Sequence, residues 1–169
     1  LEQESRFPHS LGLLYSAFTA YCGFEVNEGE YKLMGMAPYG QPRYVDRIEK
    51  MIHVGSDGSY WLDLDYFSFH HSPDQTLSPK FSECMGAPPR DPALGDKTLD
   101  PFYCDVAMSI QVVTESILIK LARHMRAKTG QTNLCLSGGV ALNSVANAKI
   151  LRESGFSSIY IPPGPGDDG

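Results

Sequence analysis

The residues best placed to do chemistry lie late in the chain, where Leu134-Cys135-Leu136 runs into Ser137-Gly138-Gly139 and then into a helical pattern over 143–154. The triplet reads as a short buried strand and the glycines as a tight turn. Without a Cβ, Gly138 and Gly139 let backbone N–H groups approach a ligand closely. The helix that follows adds a field favouring phosphate or other negative charge at its start. Asn143 opens that helix; its amide can read adenine, ribose or phosphate, or simply cap the helix. A second strand, 158–161, ends in Gly164-Pro165-Gly166-Asp167-Asp168-Gly169. Hard cations prefer carboxylate oxygens, and strand-end loops are where open α/β sheets bind ligands. Asp167 and Asp168 are therefore candidate metal ligands, although a lone Asp pair is ordinarily a solvated turn. Side by side in one sheet, the two strands would bring both turns to the same edge.

Earlier in the chain, Lys32 precedes Gly35 by about one helical turn, and a glycine there would let a flat ligand lie against the backbone. A lysine in that place can meet phosphate or ribose hydroxyls. The competing reading makes Glu30 and Lys32 ordinary exposed helix residues, and Met34 and Met36 packing. His9, His53, His70, His71 and His124 are not spaced as a metal cluster. His70 and His71 read as strand neighbours pointing opposite ways, and Cys135 reads as core. No Ser-His-Asp or Cys-His arrangement suggests a covalent acyl-enzyme.

The elements that must position these residues follow from apolar spacing and breakers. A first helix is expected from Ser10 to about Gly23, with Leu11, Leu14, Tyr15, Phe18 and Cys22 on one face. A second runs over 27–37, with Asn27 as its N-cap, and Pro38-Tyr39-Gly40-Gln41-Pro42 breaks it. A third spans 44–52. Asp57-Gly58 reads as a hairpin turn leading to a strand over 60–64. Residues 72–100, with Pro73, Pro79, Pro88, Pro89 and Pro92, read as an irregular excursion with one helical turn near 81–84. Asp100-Pro101 then starts the longest helix, to about Lys128, with Phe102, Val106, Ile110, Val113, Ile117 and Leu121 in one stripe.

A chain of 169 residues that is 42% hydrophobic and 11% aromatic can bury a real core and is not disordered. A net charge of −6 argues against a nucleic-acid partner. No uninterrupted apolar run of about 18 residues indicates a membrane span. Cys22, Cys84, Cys104 and Cys135 form no CxxC pair, which disfavours structural zinc and suits reduced thiols in a cytoplasmic protein. Both ends read as abrupt, as in a portion of a larger protein.

FPHSLGLLYSAFTAYCGF, EYKLMGMAPYG, the helix ending LARHM, LCLSGGVALNSVANAKIL and PGPGDDG together resemble the nodulation-protein-U and antibiotic-biosynthesis type O-carbamoyltransferases. The resemblance covers nearly the whole chain and is weakest over 56–100. It implies an α/β fold: one lobe of an actin-like, sugar-kinase and heat-shock-chaperone ATPase (ribonuclease H-like) fold, with a Pro-rich insertion over roughly 56–100. It implies transfer of a carbamoyl group from carbamoyl-adenylate, made from ATP and carbamoyl phosphate, to an acceptor hydroxyl with a divalent metal, usually iron. Carried over by motif, Gly138, Gly139 and Asn143 would hold the adenylate, Lys32 with Glu30 would line its ribose face, and Asp167, or else Asp168, would be the metal ligand.

The implied partners are a small-molecule acceptor such as a sugar or antibiotic precursor, an upstream half-domain carrying the family's His-x-x-x-His motif, and a downstream adenylate-forming domain. No such His pair occurs in this sequence, so this lobe alone is expected to be incomplete. Two other readings remain open. An adenylating ATP-pyrophosphatase also begins its phosphate loop Ser-Gly-Gly, but normally carries Asp where this chain has Ala141. A non-catalytic lobe that binds nucleotide or serves as a scaffold is the other.

Overall fold

The structure, a computed structural model, describes residues 3–72, 75–95 and 99–166. In chain order these form α1 (Leu11–Tyr21), α2 (Glu30–Met36), α3 (Val45–Ile48), β1 (Ile52–Val54), β2 (Tyr60–Leu62), α4 (Pro79–Met85), α5 (Pro101–Thr129), β3 (Asn133–Cys135), α6 (Ser144–Glu153) and β4 (Ser158–Tyr160). Short 3-10 turns lie at Ala37–Tyr39, Leu64–Tyr66, Pro92–Leu94 and Gly139–Leu142. The architecture mixes helices with two small two-stranded sheets. The chain divides into two compact units, Leu1–His53 with Trp61–Val113 and Val54–Tyr60 with Thr114–Gly169, and the division falls within α5.

In the first unit, Ser10 caps α1 by accepting from the Leu13 N–H, and Leu14, Phe18 and Tyr21 are fully buried along one face. Phe81 of α4 packs against both Phe18 and Tyr21 at 5.0 Å between ring centroids, so the Pro-rich stretch contributes to the core. The helical turn expected at 81–84 is a seven-residue helix, with Pro79 in its first turn and Gly86 ending it at φ +84°. Asn27 does not cap α2. It sits at φ +70°, Gly29 takes the cap position, and the helix begins three residues later than its pattern suggests. The third helix is also shorter than expected, because Ile52 turns into β1.

The segment after α2 docks on the first half of α5. Asp105 Oδ1 accepts from the Gln41 N–H at 2.7 Å, and Ser109 Oγ accepts from the Tyr44 N–H at 3.0 Å. Asp100 caps α5 through Phe102 N–H at 2.8 Å, as the Asp-Pro pair anticipates. An 18-residue window of α5 reaches a mean hydropathy of 1.4, so this helix is long and apolar enough to cross a membrane by length and composition. Ser109, Gln111, Thr114 and Glu115 interrupt its apolar run, which is why a strict count of apolar residues misses it. Those four are buried and 67% of the window lies inside the structure, the pattern of a core helix.

In the second unit, β3 and β4 pair in parallel with Leu134 opposite Ile159. Leu134 and Ile159 pack on the cluster of Ile119, Ala122, Ile150 and Phe156, supplied by α5, α6 and the loop before β4. Alternation sends Asn133, Cys135, Ser158 and Tyr160 to the other face, where they are exposed. Cys135 is therefore not a core residue, and β3 is half-buried, not fully buried. Buried Glu115 of α5 is paired with Lys149 of α6. Arg123 and Arg126 donate to the carbonyls of Glu153 and Gly155 and hold the end of α6 against α5.

Candidate functional site

The glycine turn begins where pairing with β4 ends. Leu136 N–H still donates to the Tyr160 carbonyl at 2.9 Å, and the chain then bends at Gly138, whose φ of +96° suits glycine. Gly139–Leu142 form a 3-10 turn, closed by Ala141 N–H donating to Gly138 O at 2.9 Å and Asn143 N–H donating to Val140 O at 3.0 Å. The amides of Gly139 and Val140 head this turn, where a helix offers no internal acceptor. Among the described residues, a Cβ placed on Gly138 or Gly139 would meet nothing within 4 Å. The glycines thus border open space that a ligand could fill.

Parallel pairing brings the loops after β3 and β4 to one end of the sheet. They are joined there: Gly138 N–H donates to the Pro165 carbonyl at 2.5 Å and Ser137 Oγ donates to the same carbonyl at 3.2 Å. The Gly138 amide is therefore engaged with the protein. Asn143 is 8% exposed, and its Oδ1 caps α6 by accepting from the Ala146 N–H at 3.0 Å. The capping role weighed for it is thus realised. Asp167 and Asp168 lie outside the described residues. Among the described residues, no group of three or more His, Cys, Asp or Glu could hold a metal ion.

Glu30 and Lys32 belong to the first unit and the glycine turn to the second. Glu30 Oε1 accepts from Ser16 Oγ at 2.7 Å and from the Asn27 N–H at 3.1 Å, which ties α2 to α1. Lys32 is half-buried. Gly35 is exposed, and among the described residues a Cβ there would meet nothing within 4 Å. His70 and His71 lie in a turn, not a strand, with their rings 4.4 Å apart on the same side. Sequence reasoning missed Ser137, Pro165 and Asn147. Only Asn147 left a signal, a second Asn one helical turn after Asn143.

The cysteines differ sharply in burial. Burial pushes the Cys22 and Cys104 thiols up, so both stay protonated at neutral pH, whereas Cys135 is exposed on the free face of β3. Alkylation of native protein at neutral pH, followed by peptide mass mapping, is expected to modify Cys135 first and Cys22 only on unfolding. Labelling of Cys22 ahead of Cys135 would contradict the placement of β3.

Residues 1–169 match the family model described as Carbamoyltransferase N-terminus. The chain belongs to the carbamoyltransferase family. An uncharacterized protein of Synechocystis sp. is 50% identical over 167 residues, covering 98% of this chain and 26% of that protein. Nodulation protein NolO of Bradyrhizobium diazoefficiens is 34% identical over 165 residues, covering 95% of this chain and 27% of its own length. Nodulation protein NolNO of Sinorhizobium fredii is 31% identical over 166 residues, with 96% and 22% covered. This carbamoyltransferase-family chain therefore spans about a quarter of the length of the curated relatives it matches.

Proposed function

We propose that this chain supplies part of the catalytic domain of an O-carbamoyltransferase and that the Gly138-Gly139 turn binds the adenylate of the carbamoyl donor. The observation that carries this reading is the joining of the two strand-end loops through the Pro165 carbonyl, beside glycines that border open space. In the reaction, the acceptor hydroxyl oxygen forms a bond to the carbamoyl carbon. The bond from that carbon to the AMP phosphate oxygen breaks, AMP leaves, and the hydroxyl proton is lost. Positioned donors and a rigid nucleotide clamp serve such a transfer by holding the leaving group and the developing charge. Amides heading the Gly139–Leu142 turn suit that task.

The donor is carbamoyl-adenylate, made from ATP and carbamoyl phosphate elsewhere in the polypeptide, and the acceptor is a small molecule with a free hydroxyl. The fold is proposed to be one lobe of an actin-like ATPase fold. Lys32 and Glu30 carry the nucleotide assignment in the first unit on their motif alone. A divalent ion, iron(II) first, belongs to this proposal with Asp167 as the ligand from this chain. The described residues do not make a metal site by themselves.

The test uses full-length protein with ATP, carbamoyl phosphate and a panel of hydroxyl acceptors. AMP and an O-carbamate are expected to form together, and only when an acceptor is present. Asp167→Ala is expected to lose both turnover and bound metal while staying folded. Formation of ADP in place of AMP, or an Asp167→Ala variant that keeps metal and turnover, would overturn the corresponding assignment.

A further inference from the structure

A glycine pair free enough to approach a ligand is also free to wander, and ordering it on binding costs affinity. In this chain the turn is tied at both ends. At its entrance the Pro165 carbonyl accepts from Gly138 N–H and from Ser137 Oγ, so both of its acceptor sites are in use. Pro165 is itself buried. At its exit Asn147 Nδ2 donates to the Ala141 carbonyl at 2.7 Å, while the Asn147 N–H donates to Asn143 O at 3.0 Å. Asn147 is carried by α6, which Arg123 and Lys149 hold to α5, so this tie anchors the turn to the packed helix pair. Between the ties, no atom of the described residues lies within 4 Å of a Cβ placed on Gly138 or Gly139.

We infer that Ser137 and Asn147 are positioning residues, which hold the glycine turn in its ligand-ready shape through the Pro165 and Ala141 carbonyls. The inference rests on the adenylate reading of the turn given above. Ser137 acts through a neighbouring loop and Asn147 through the backbone, so neither needs to touch the nucleotide to govern its affinity. The Ser137 hydroxyl also couples the loop after β4 to the turn after β3: loss of that hydrogen bond loosens both.

The test is AMP titration by calorimetry on full-length protein, paired with hydrogen exchange of the ligand-free protein over residues 137–147. Ser137→Ala is expected to weaken AMP binding about fivefold, the worth of one neutral hydrogen bond, and to speed exchange of the turn amides before ligand is added. Asn147→Ala, which removes the donor without adding a charge beside the anionic nucleotide, is expected to do the same. Ser137→Thr restores the hydroxyl and is expected to bind as the parent does, and none of the three should shift the melting temperature appreciably. Should Ser137→Ala fail to fold, Asn147→Ala carries the same readouts.

Unchanged AMP affinity in both donor-deleting variants, while Gly139→Val abolishes binding, would overturn the positioning role and leave the adenylate site standing. Weaker binding with unchanged ligand-free exchange would also overturn it, because that pattern belongs to a residue touching the nucleotide. Binding by the parent that Gly139→Val leaves untouched would remove the adenylate reading, and this inference with it.

Discussion

Replacing Gly40 with alanine is expected to destabilise the first unit by about 3 kcal/mol or more, among the largest effects available to a single methyl group. The cause is steric. A Cβ at Gly40 would lie 2.0 Å from the Cys104 carbonyl oxygen, 2.2 Å from its carbon and 2.5 Å from the Asp105 nitrogen. All three are backbone atoms of α5, a 29-residue helix that cannot step aside locally. The conformation itself is no obstacle, since φ of −114° and ψ of 179° suit any residue. The added methyl would push the segment off α5 and strain the bonds from Gln41 N–H to Asp105 and from Tyr44 N–H to Ser109. Gly35→Ala makes the control. It lies in α2 with nothing within 4 Å of its Cβ, so alanine there is expected to be neutral or to stabilise by about 0.5–1 kcal/mol. Urea midpoints of the two variants should therefore move apart; a Gly40→Ala midpoint equal to that of the parent would contradict the docking on α5.

This contrast also marks how far the sequence could be read. Local signals were legible where one residue type has one strong physical use. Ser10 and Asp100 cap the helices they precede, Gly130 ends α5 at φ +69°, and the strand, glycine turn, helix and strand of 133–160 stand in the expected order. What the sequence hid was tertiary. Gly35 and Gly40 look alike in EYKLMGMAPYG, and only the approach of α5 distinguishes an open glycine from an obligatory one. The face of β3 was misread because the apolar triplet Leu134-Cys135-Leu136 carries no alternation to read. Asn27 satisfies the composition of an N-cap, yet its left-handed backbone and its N–H bond to Glu30 place it in the preceding turn. The two strands do lie side by side in one sheet, as expected, in parallel with Leu134 opposite Ile159. The Pro165 carbonyl was invisible, because a backbone acceptor leaves no trace in side-chain types.

The second large effect concerns the open face of the turn. Among the described residues a Cβ at Gly139 meets nothing within 4 Å, and Gly139 is not among the glycines at positive φ, so valine there is expected to project into the space over the glycines. Folding should survive: the ties from Pro165 and Asn147 use Ser137, Gly138 and Ala141, not Gly139. A ligand that lies against the backbone should be shut out, by a branched side chain where it expects bare amides. Calorimetric titration of AMP into full-length parent and Gly139→Val protein therefore tests the account most directly. It predicts an unchanged melting temperature with affinity lowered at least about tenfold, or about 1.4 kcal/mol. Equal affinity in the two proteins would show that the nucleotide binds elsewhere and that the glycine turn is only a bend in the chain.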